Sequence, residues 1–296
     1  MTDLELIEQE FQRIFKKSLK PVQEETGDFA NEKARISYYK KVLYFADAVI
    51  GPLERKGMAK SDAIVDVASG DGQMSLALAL LGYTDLTLWD MDQERLDRGI
   101  RTIALYCPGV VAKKIYGSAT NMDKKFDVLI SYQTIEHLSD EGNYSVAKKS
   151  CQIEFLDNIN KNISKLVYFN APNRTYPIDG HDTGLPFFHY LPISIKKKLI
   201  YGKYVKCSWS GICRPVSINF LGRHLRNFHL ASNYYAFDSM VDYVSHYPAF
   251  DYMGYRIPKV DPNNLSTTKK IVKGVSGILG KRMQYMLPVL SVIYKR

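Results

Sequence analysis

The chain of 296 residues is long enough to bury a full core, and we expect one α/β domain with additions. Its composition, 46% hydrophobic and 24% charged, is ordinary for a soluble globular protein. No apolar run is long enough for a membrane-spanning helix, and the N-terminus lacks the basic start and apolar stretch of a signal peptide. Both kinds of segment are therefore excluded from the prediction.

The net charge of +9 is unevenly distributed along the sequence. Residues 183–237 contain eight lysines and arginines and no acid, and residues 262–296 contain seven and again no acid. The rest of the chain is therefore net acidic. This asymmetry predicts an anionic partner, which is a phosphorylated or acidic sugar, a nucleic acid or a membrane surface. The alternative is a solvated basic face.

The four cysteines are scattered, with no pair at Cys-x-x-Cys spacing. They are Cys107, Cys151, Cys207 and Cys213. Reduced thiols fit this arrangement better than a disulfide framework or a zinc site, so we expect a cytoplasmic protein.

Two helices are predicted at the N-terminus. Residues 1–20 carry apolar side chains at helical spacing and end at Pro21. A second helix is expected from about residue 32 to residue 50, ending near Gly51 and Pro52.

A strand and a glycine turn follow. The apolar run Ile64-Val-Asp-Val67 predicts a strand inside a parallel sheet. Gly70 and Gly72 come next, and glycine lets the backbone turn sharply and approach a ligand closely. Residues 75–81 are helix-forming and stop at Gly82.

The next predicted strand, residues 86–90, ends in an acid. Asp90 follows Gly72 by 18 residues, about the spacing at which such units place the carboxylate that binds ribose hydroxyls. A dinucleotide site would have a third glycine where Ser75 stands, which disfavours NAD. The segment therefore predicts a nucleotide-cofactor pocket of another kind.

The pattern Asp66-x-Ala68-x-Gly70-x-Gly72 resembles motif I of the class I S-adenosylmethionine (SAM)-dependent methyltransferases, with Ala68 in place of the first glycine. The resemblance continues in order over roughly residues 60–172. Residues 117–120 resemble the adenine-edge loop after the third strand, residues 126–131 and 136–138 the fourth strand and its following helix, and residues 166–170 the fifth strand. It implies a Rossmann-like class I methyltransferase sheet whose last strand, about residues 287–294, runs antiparallel.

The same resemblance implies SAM as the cofactor. The cofactor-binding residues that it implies are Asp66, Ala68, Ser69, Gly70, Gly72, Asp90, Met91, Ser118, Ala119, Tyr132 and Gln133. A leading helix often covers the cofactor in this family, so Arg35, Tyr38 and Tyr39 are candidate lid contacts, with a packing face as the alternative.

Four parts of the chain are expected. Residues 1–55 form an N-terminal helical lid, and residues 56–175 form the SAM-binding Rossmann-like core. Residues 176–258 form a substrate-side helical insertion, with helices rich in Tyr and Phe from residue 191 to about 255 roofing the acceptor pocket. Residues 259–296 form a basic C-terminal segment that completes the sheet.

The segment after the fifth strand, residues 171–192, predicts an ordered loop, because its prolines and glycines forbid a regular helix. Its Pro-Asn-Arg…His…Leu-Pro pattern resembles a group of bacterial class I methyltransferases. It leaves the carboxyl end of a strand, where α/β sheets bind ligands. A hydroxyl acceptor needs a base, and the candidate catalytic residues are His181, which is favoured, His137 and Glu136.

Gln133, Glu136 and His137 are spaced to share one helical turn. This segment resembles the Glu-x-x-Glu-His pattern with which some methyltransferases hold Mg²⁺. Gln133 replaces the first acid and removes a charge that a hard cation prefers, so no metal ligands are assigned and Mg²⁺ is kept as an alternative.

No Asn-Pro-Pro-Tyr-type motif follows the fourth strand, which favours O-methylation. The leading hypothesis is an enzyme that O-methylates an anionic, sugar-containing acceptor, such as a surface-glycan or lipid-linked intermediate. One alternative is an RNA 2′-O-methyltransferase, which the two basic segments support. Another is a non-catalytic SAM-binding or membrane-scaffold protein.

The segment from Lys269 to Arg282 combines an apolar stripe with flanking bases. This pattern predicts a helix that lies at an anionic membrane surface, so a peripheral location at the inner membrane face is an alternative to the cytoplasm. The alternative is that the stripe packs on the protein's own core just ahead of the last strand.

Overall fold

The computed structural model describes residues 2–19, 32–138, 150–179, 183–205, 213–232, 267–279 and 287–296. The favoured base His181 lies outside these residues, as do Cys207, Arg282 and residues 233–258 of the predicted insertion.

One seven-stranded sheet organises the molecule, in the order β3-β2-β1-β4-β5-β7-β6. The strands are β1 (Ile64–Val67), β2 (Leu86–Asp90), β3 (Lys113–Tyr116), β4 (Phe126–Tyr132), β5 (Ile163–Pro172), β6 (His229–Ser232) and β7 (Val289–Lys295). Strands β1 to β5 are parallel, and β7 runs antiparallel to both of its neighbours. The predicted Rossmann-like class I methyltransferase sheet, with its antiparallel last strand, is confirmed.

Helices cover the sheet and precede it. They are α1 (Asp3–Phe15), α2 (Glu32–Phe45), α3 (Gly51–Arg55), α4 (Gln73–Leu80), α5 (Gln93–Tyr106), α6 (Cys151–Asn162), α7 (Ile193–Tyr201), α8 (Ile218–His224) and α9 (Thr267–Leu279). Thr2 caps α1 in a reciprocal capping box with Glu5. Within the described residues, no helix is long and apolar enough to cross a membrane.

The core lies on both faces of the sheet, as expected of parallel strands. Ile64 of β1 packs in a cluster with Phe11, Leu43 and other side chains of the N-terminal helices. Val65 and Val67 pack in a second cluster on the opposite face. Because successive side chains of a strand alternate in direction, Asp66 belongs to the face that the N-terminal helices cover.

The second helix does not end at Gly51-Pro52, so that prediction is wrong. A π-helical segment, Ala46–Ile50, follows α2 and leads directly into α3. Pro52 stands in the first turn of α3, where its missing N–H costs no intrahelical hydrogen bond. The π segment separates α2 from α3 and leaves the proline at a helix start.

Strand β6 was not predicted, because residues 191–255 read as helical. It is a short edge strand paired with β7, and it lies within the segment predicted as an insertion. Its four residues, His-Leu-Ala-Ser, include no β-branched side chain. Pairing with β7 therefore determines its conformation more than local preference does.

Candidate functional site

The loop that joins β1 to α4 has an unusual backbone. Ala68, Gly70 and Gly72 all have positive φ angles, of 53°, 54° and 73°. A Cβ on Gly72 would lie 2.9 Å from the Cα of Gly99 in α5, so a side chain does not fit there. Ala68 holds a left-handed conformation that costs a non-glycine residue roughly 1–2 kcal/mol. Its position is thus one at which glycine would be the unstrained residue.

Asp90, at the carboxyl end of β2, is fixed by two backbone amides. Its Oδ2 accepts a hydrogen bond of 2.8 Å from Gly70 N, and its Oδ1 accepts one of 2.9 Å from Asp92 N. A carboxylate offers about four acceptor positions, so both oxygens keep capacity for a further donor. Asp90 is therefore held in position beside the glycine loop and remains able to bind a diol.

Asp66 lies beneath the same loop. It is buried, and the Ser75 hydroxyl of α4 donates to its Oδ2 at 2.8 Å. Burial raises the pKa of Asp66 to about 7, while the hydrogen bond from Ser75 and the positive charge of Lys41 oppose the rise. Ser75 stands where a dinucleotide fold has its third glycine, and here it satisfies the buried acid.

The predicted adenine-edge residues lie beside Asp90. Gly117 N donates to the Asp90 carbonyl at 3.0 Å, which brings the loop after β3 to the end of β2. In that loop Ser118 caps the 3₁₀ turn Ala119–Asn121. Met91 is 68% exposed, so its side chain is available to a ligand.

Tyr132 and Gln133 end β4 on the other side of β1. The Tyr132 ring contacts the Phe45 ring edge-on, with 4.8 Å between their centroids. Gln133 has a φ of 50°, and its N–H donates to the Asn170 carbonyl of β5 at 2.7 Å. The N-terminal helices therefore meet the carboxyl end of β4 at Tyr132.

The prediction that Gln133, Glu136 and His137 share a helical turn is wrong. Gln133 is left-handed and held by β5, and only a 3₁₀ turn, Ile135–His137, follows. Glu136 is completely buried, whereas His137 is exposed, with its Nδ1 3.4 Å from the Cys213 sulfur. Among the described residues, no group of three or more His, Cys, Asp or Glu is arranged to hold a metal ion.

Residues 136–138, expected in the α-helix that follows the fourth strand, lie in and after the 3₁₀ turn. Within the described residues the next helix is α6, which starts at Cys151 and is capped by the Ser150 hydroxyl. A short tight turn rather than a helix therefore closes the carboxyl end of β4.

Two buried serine hydroxyls lack a partner within the described part of the chain. The Ser69 Oγ and the Ser131 Oγ have no hydrogen bond there. Ser131 pairs in register with Val67, the last residue of β1, so both serines lie near the same strand ends. Buried polar atoms are normally satisfied, and a bound ligand with polar groups would satisfy these two.

The candidate lid residues behave differently from one another. The Tyr38 hydroxyl donates to the Asp71 carbonyl of the glycine loop at 3.2 Å. The Tyr39 hydroxyl instead pairs with the buried Tyr106 hydroxyl of α5 at 2.8 Å. Tyr38 thus links α2 to the loop, and Tyr39 packs in the core; the Arg35 Nε is buried with no hydrogen-bond partner among the described residues.

A buried polar cluster follows β5. Asp179 is completely buried, accepts hydrogen bonds from the Thr183 amide and hydroxyl, and lies 3.4 Å from His189 Nε2. The Lys196 ammonium donates to the His189 carbonyl at 3.0 Å and lies over the Phe188 ring. The loop therefore positions a buried lysine, which the sequence did not single out.

Two arginines add positive charge near Lys196. Arg214 is buried, and its amide donates to the Glu136 carbonyl at 2.8 Å, whereas Arg174 is exposed just beyond β5. Burial lowers the pKa of Lys196 to about 8, and the charges of Arg174 and Arg214 contribute, against Asp179. The sequence signals for this cluster were the Pro-Asn-Arg…His…Leu-Pro pattern of residues 171–192 and the acid-free composition of residues 183–237.

Comparison with known proteins adds similarity of fold. No family model matches the sequence, and no curated protein matches it. The structure is similar to magnesium protoporphyrin IX methyltransferase from Synechocystis PCC 6803 with bound SAH, at 10% identity over 97% of this chain and 93% of that chain, with a TM-score of 0.47.

Two other solved structures are similar to the same degree. An S-adenosylmethionine-dependent methyltransferase from Mesorhizobium loti has 12% identity over 83% of this chain and 96% of that chain, with a TM-score of 0.48. A possible histamine N-methyltransferase from Thermotoga maritima has 11% identity over 98% and 99%, with a TM-score of 0.45. A fold does not determine function, so the cofactor and the acceptor have to be inferred from the residues of the site.

Proposed function

We propose that the protein is a SAM-dependent methyltransferase. The observation that carries this proposal is the Asp90 carboxylate, fixed by Gly70 N at 2.8 Å beside a left-handed loop. A carboxylate so placed fits a ribose diol, and the glycines allow the backbone to approach the ligand. The pocket lies where the strand order reverses between β1 and β4, the usual ligand position in open α/β sheets.

The residues present fit the cofactor. Asp90 would bind the ribose, and Met91, Ser118 and Ala119 would line the adenine. Ala68, Ser69, Gly70 and Gly72 would line the loop side, and Asp66, Tyr132 and Gln133 the methionine side. The buried Ser69 and Ser131 hydroxyls support a polar ligand here. When bound, SAM supplies a methyl group on a sulfonium, which an acceptor takes by in-line displacement.

The acceptor is proposed to be anionic and sugar-containing, a surface-glycan or lipid-linked intermediate. Arg174, Lys196 and Arg214 support this, because three cations that influence one another favour a ligand with a phosphate or carboxylate. Arg174 comes two residues after β5, and the Arg214 amide donates to the Glu136 carbonyl just after β4, so we place the acceptor at the carboxyl ends of these two strands.

Removal of the acceptor's proton is proposed to fall to one of the candidate bases. The candidates are His181, His137 and Glu136. The base would have to reach the acceptor hydroxyl within hydrogen-bond distance. The remaining work is alignment, which the pocket walls supply.

A transfer assay tests the function. The native chain is incubated with methyl-labelled SAM and a panel of phosphorylated and carboxylated glycans and lipid-linked sugars. Label should appear in an anionic product, and Asp90→Ala should greatly reduce it. Absence of transfer to every acceptor class, despite tight SAM binding, would favour the non-catalytic alternative.

RNA is the second candidate acceptor, favoured by the two acid-free basic segments. RNA binding that is length-dependent and falls steeply with salt would support it. Weak binding that is insensitive to salt would exclude it. Location in the cytoplasm, or at the inner membrane face, stays a prediction.

A further inference from the structure

We propose that Lys41 of α2 binds the carboxylate of SAM while Asp66 binds its ammonium group. The two side chains would then form a clamp for the zwitterionic end of the cofactor. This inference rests on the proposed function and assigns a role to Lys41, which the motif resemblance does not include.

Lys41 reaches the pocket from the lid helix. Its ammonium lies 5.3 Å from the centre of the Tyr132 ring and 5.6 Å from that of the Phe45 ring. Both distances are within the range of cation–π attraction. Because Tyr132 ends β4, the Lys41 ammonium lies at the carboxyl edge of the sheet, next to the strand that holds Asp66.

Asp66 faces the same side. It lies on the face of the sheet that the N-terminal helices cover, bonded to the Ser75 hydroxyl at 2.8 Å. The charges of Lys41 and Asp66 act on one another: burial lowers the pKa of Lys41, and Asp66 counters that effect. Arg95 and Asp71 act on Lys41 more weakly. A half-buried cation and a buried acid whose charges act on one another therefore lie on the same face of the sheet.

The geometry of the sheet directs the zwitterion to this pair. If Asp90 at the end of β2 binds the ribose, the amino-acid end of the cofactor extends away from it. It then crosses β1 toward β4, because these strands follow β2 in the sheet. An ammonium and a carboxylate arriving there find one acid and one base, so each charge gains a partner of opposite sign.

Two ligands separate the clamp from the rest of the pocket. S-adenosylhomocysteine carries the amino-acid group, and 5′-methylthioadenosine lacks it. Lys41→Met should weaken S-adenosylhomocysteine binding by roughly 10- to 100-fold, the loss expected for a charge-assisted hydrogen bond, and should leave 5′-methylthioadenosine binding unchanged. Lys41→Arg should restore most of the affinity. Asp66→Asn should follow the pattern of Lys41→Met.

The matched control is Lys33→Met, an exposed lysine on the same helix, which should change neither affinity. Unchanged S-adenosylhomocysteine binding by Lys41→Met would overturn the clamp and leave the proposed function standing. Equal loss for both ligands would also overturn it, because Lys41 would then act only on the fold. If the native chain binds neither ligand, the proposed function itself fails, and the clamp fails with it.

Discussion

Asp90 is the side chain on which the cofactor assignment depends most. Its two oxygens are oriented by backbone amides, so a bound ribose would meet a preformed acceptor. Asp90→Ala should weaken SAM binding by roughly 1.5–3 kcal/mol, because the hydrogen bonds to the hydroxyls are charge-assisted. Calorimetry measures the change. Asp85→Ala, just before the start of the same strand, is the control, and equal losses in both variants would count against the assignment.

Ala68 offers a test of the loop through stability. Its φ of 53° costs roughly 1–2 kcal/mol, and glycine would relieve this at an entropic cost of about 0.5–1 kcal/mol. Ala68→Gly should therefore raise the free energy of unfolding slightly in denaturant titration. Gly72→Ala should lower it strongly, because the new Cβ would meet Gly99 Cα at 2.9 Å. A destabilised Ala68→Gly variant would contradict the backbone described here.

Asp66 predicts a pH dependence. Its pKa is raised from 3.8 to about 7, so the folded state binds the proton more tightly than the unfolded state. Stability from this group is therefore fully present at low pH and is lost as pH rises from about 4 to about 7. Urea unfolding at several pH values should show this loss in the native chain and not in Asp66→Asn. Parallel curves for the two proteins would contradict it.

At this scale the sequence predicts only the residues that local spacing identifies. Gly70, Gly72 and Asp90 follow from a strand–turn–helix–strand pattern. Lys41 and Lys196 do not, because their surroundings include residues distant in sequence, such as Tyr132 beside Lys41 and Arg214 near Lys196. Ser75 was interpreted as a missing glycine, and its hydrogen bond to Asp66 depends on packing that no local pattern records.

At the scale of elements, α9 is the least covered helix that the structure describes. Ile271, Val275, Ile278 and Leu279 recur along one face and are 60%, 41%, 86% and 37% exposed. A Cβ on Gly274 would meet no atom within 4 Å. These exposed fractions disagree with the alternative, in which the stripe packs on the protein's own core. Lys270 and Lys273 are exposed on the same helix, so its contact with an anionic lipid surface stays a prediction.

Vesicle co-sedimentation tests this helix. The full chain should sediment with vesicles that contain anionic lipid at low salt and detach as salt rises. Ile271→Ser with Ile278→Ser, or Lys270→Glu with Lys273→Glu, should abolish binding. Matched controls are Val111→Ser, an exposed apolar site elsewhere, and Lys124→Glu with Lys125→Glu. Binding that is equally strong to neutral vesicles, or is lost equally in the controls, would reject the contact.

Elements were predicted well where they are buried and regular, and poorly where tertiary contacts decide. Strand β1 reads correctly from its apolar run. The short edge strand β6 depends on β7, and the turn after β4 depends on the bond from Gln133 N to Asn170. The helical backbone continues past Pro52 because a π-helical segment precedes it, and the Gly-Pro signal used to predict the end of the helix does not reveal such a segment.

At the scale of the whole molecule, the acidic and the basic side chains of the proposed sites lie in different parts of the chain. The cofactor site that we propose contains two acids, Asp66 and Asp90. The basic cluster follows β4 and β5, and the basic α9 lies apart in sequence. In this account the proposed cofactor site extends from β2 across β1 to β4, and the proposed acceptor site follows β4 and β5.

The most direct test of the central claim is a crystal structure of the chain with S-adenosylhomocysteine. The account predicts the ribose hydroxyls on the Asp90 carboxylate, the adenine beside Met91 and Ala119, and the amino-acid end between Asp66 and Lys41. The thioether sulfur should lie near the carboxyl end of β4, after which the Arg214 amide donates to the Glu136 carbonyl. Density for the ligand away from the loop that joins β1 to α4, or no binding while NAD binds in that loop, would contradict the account.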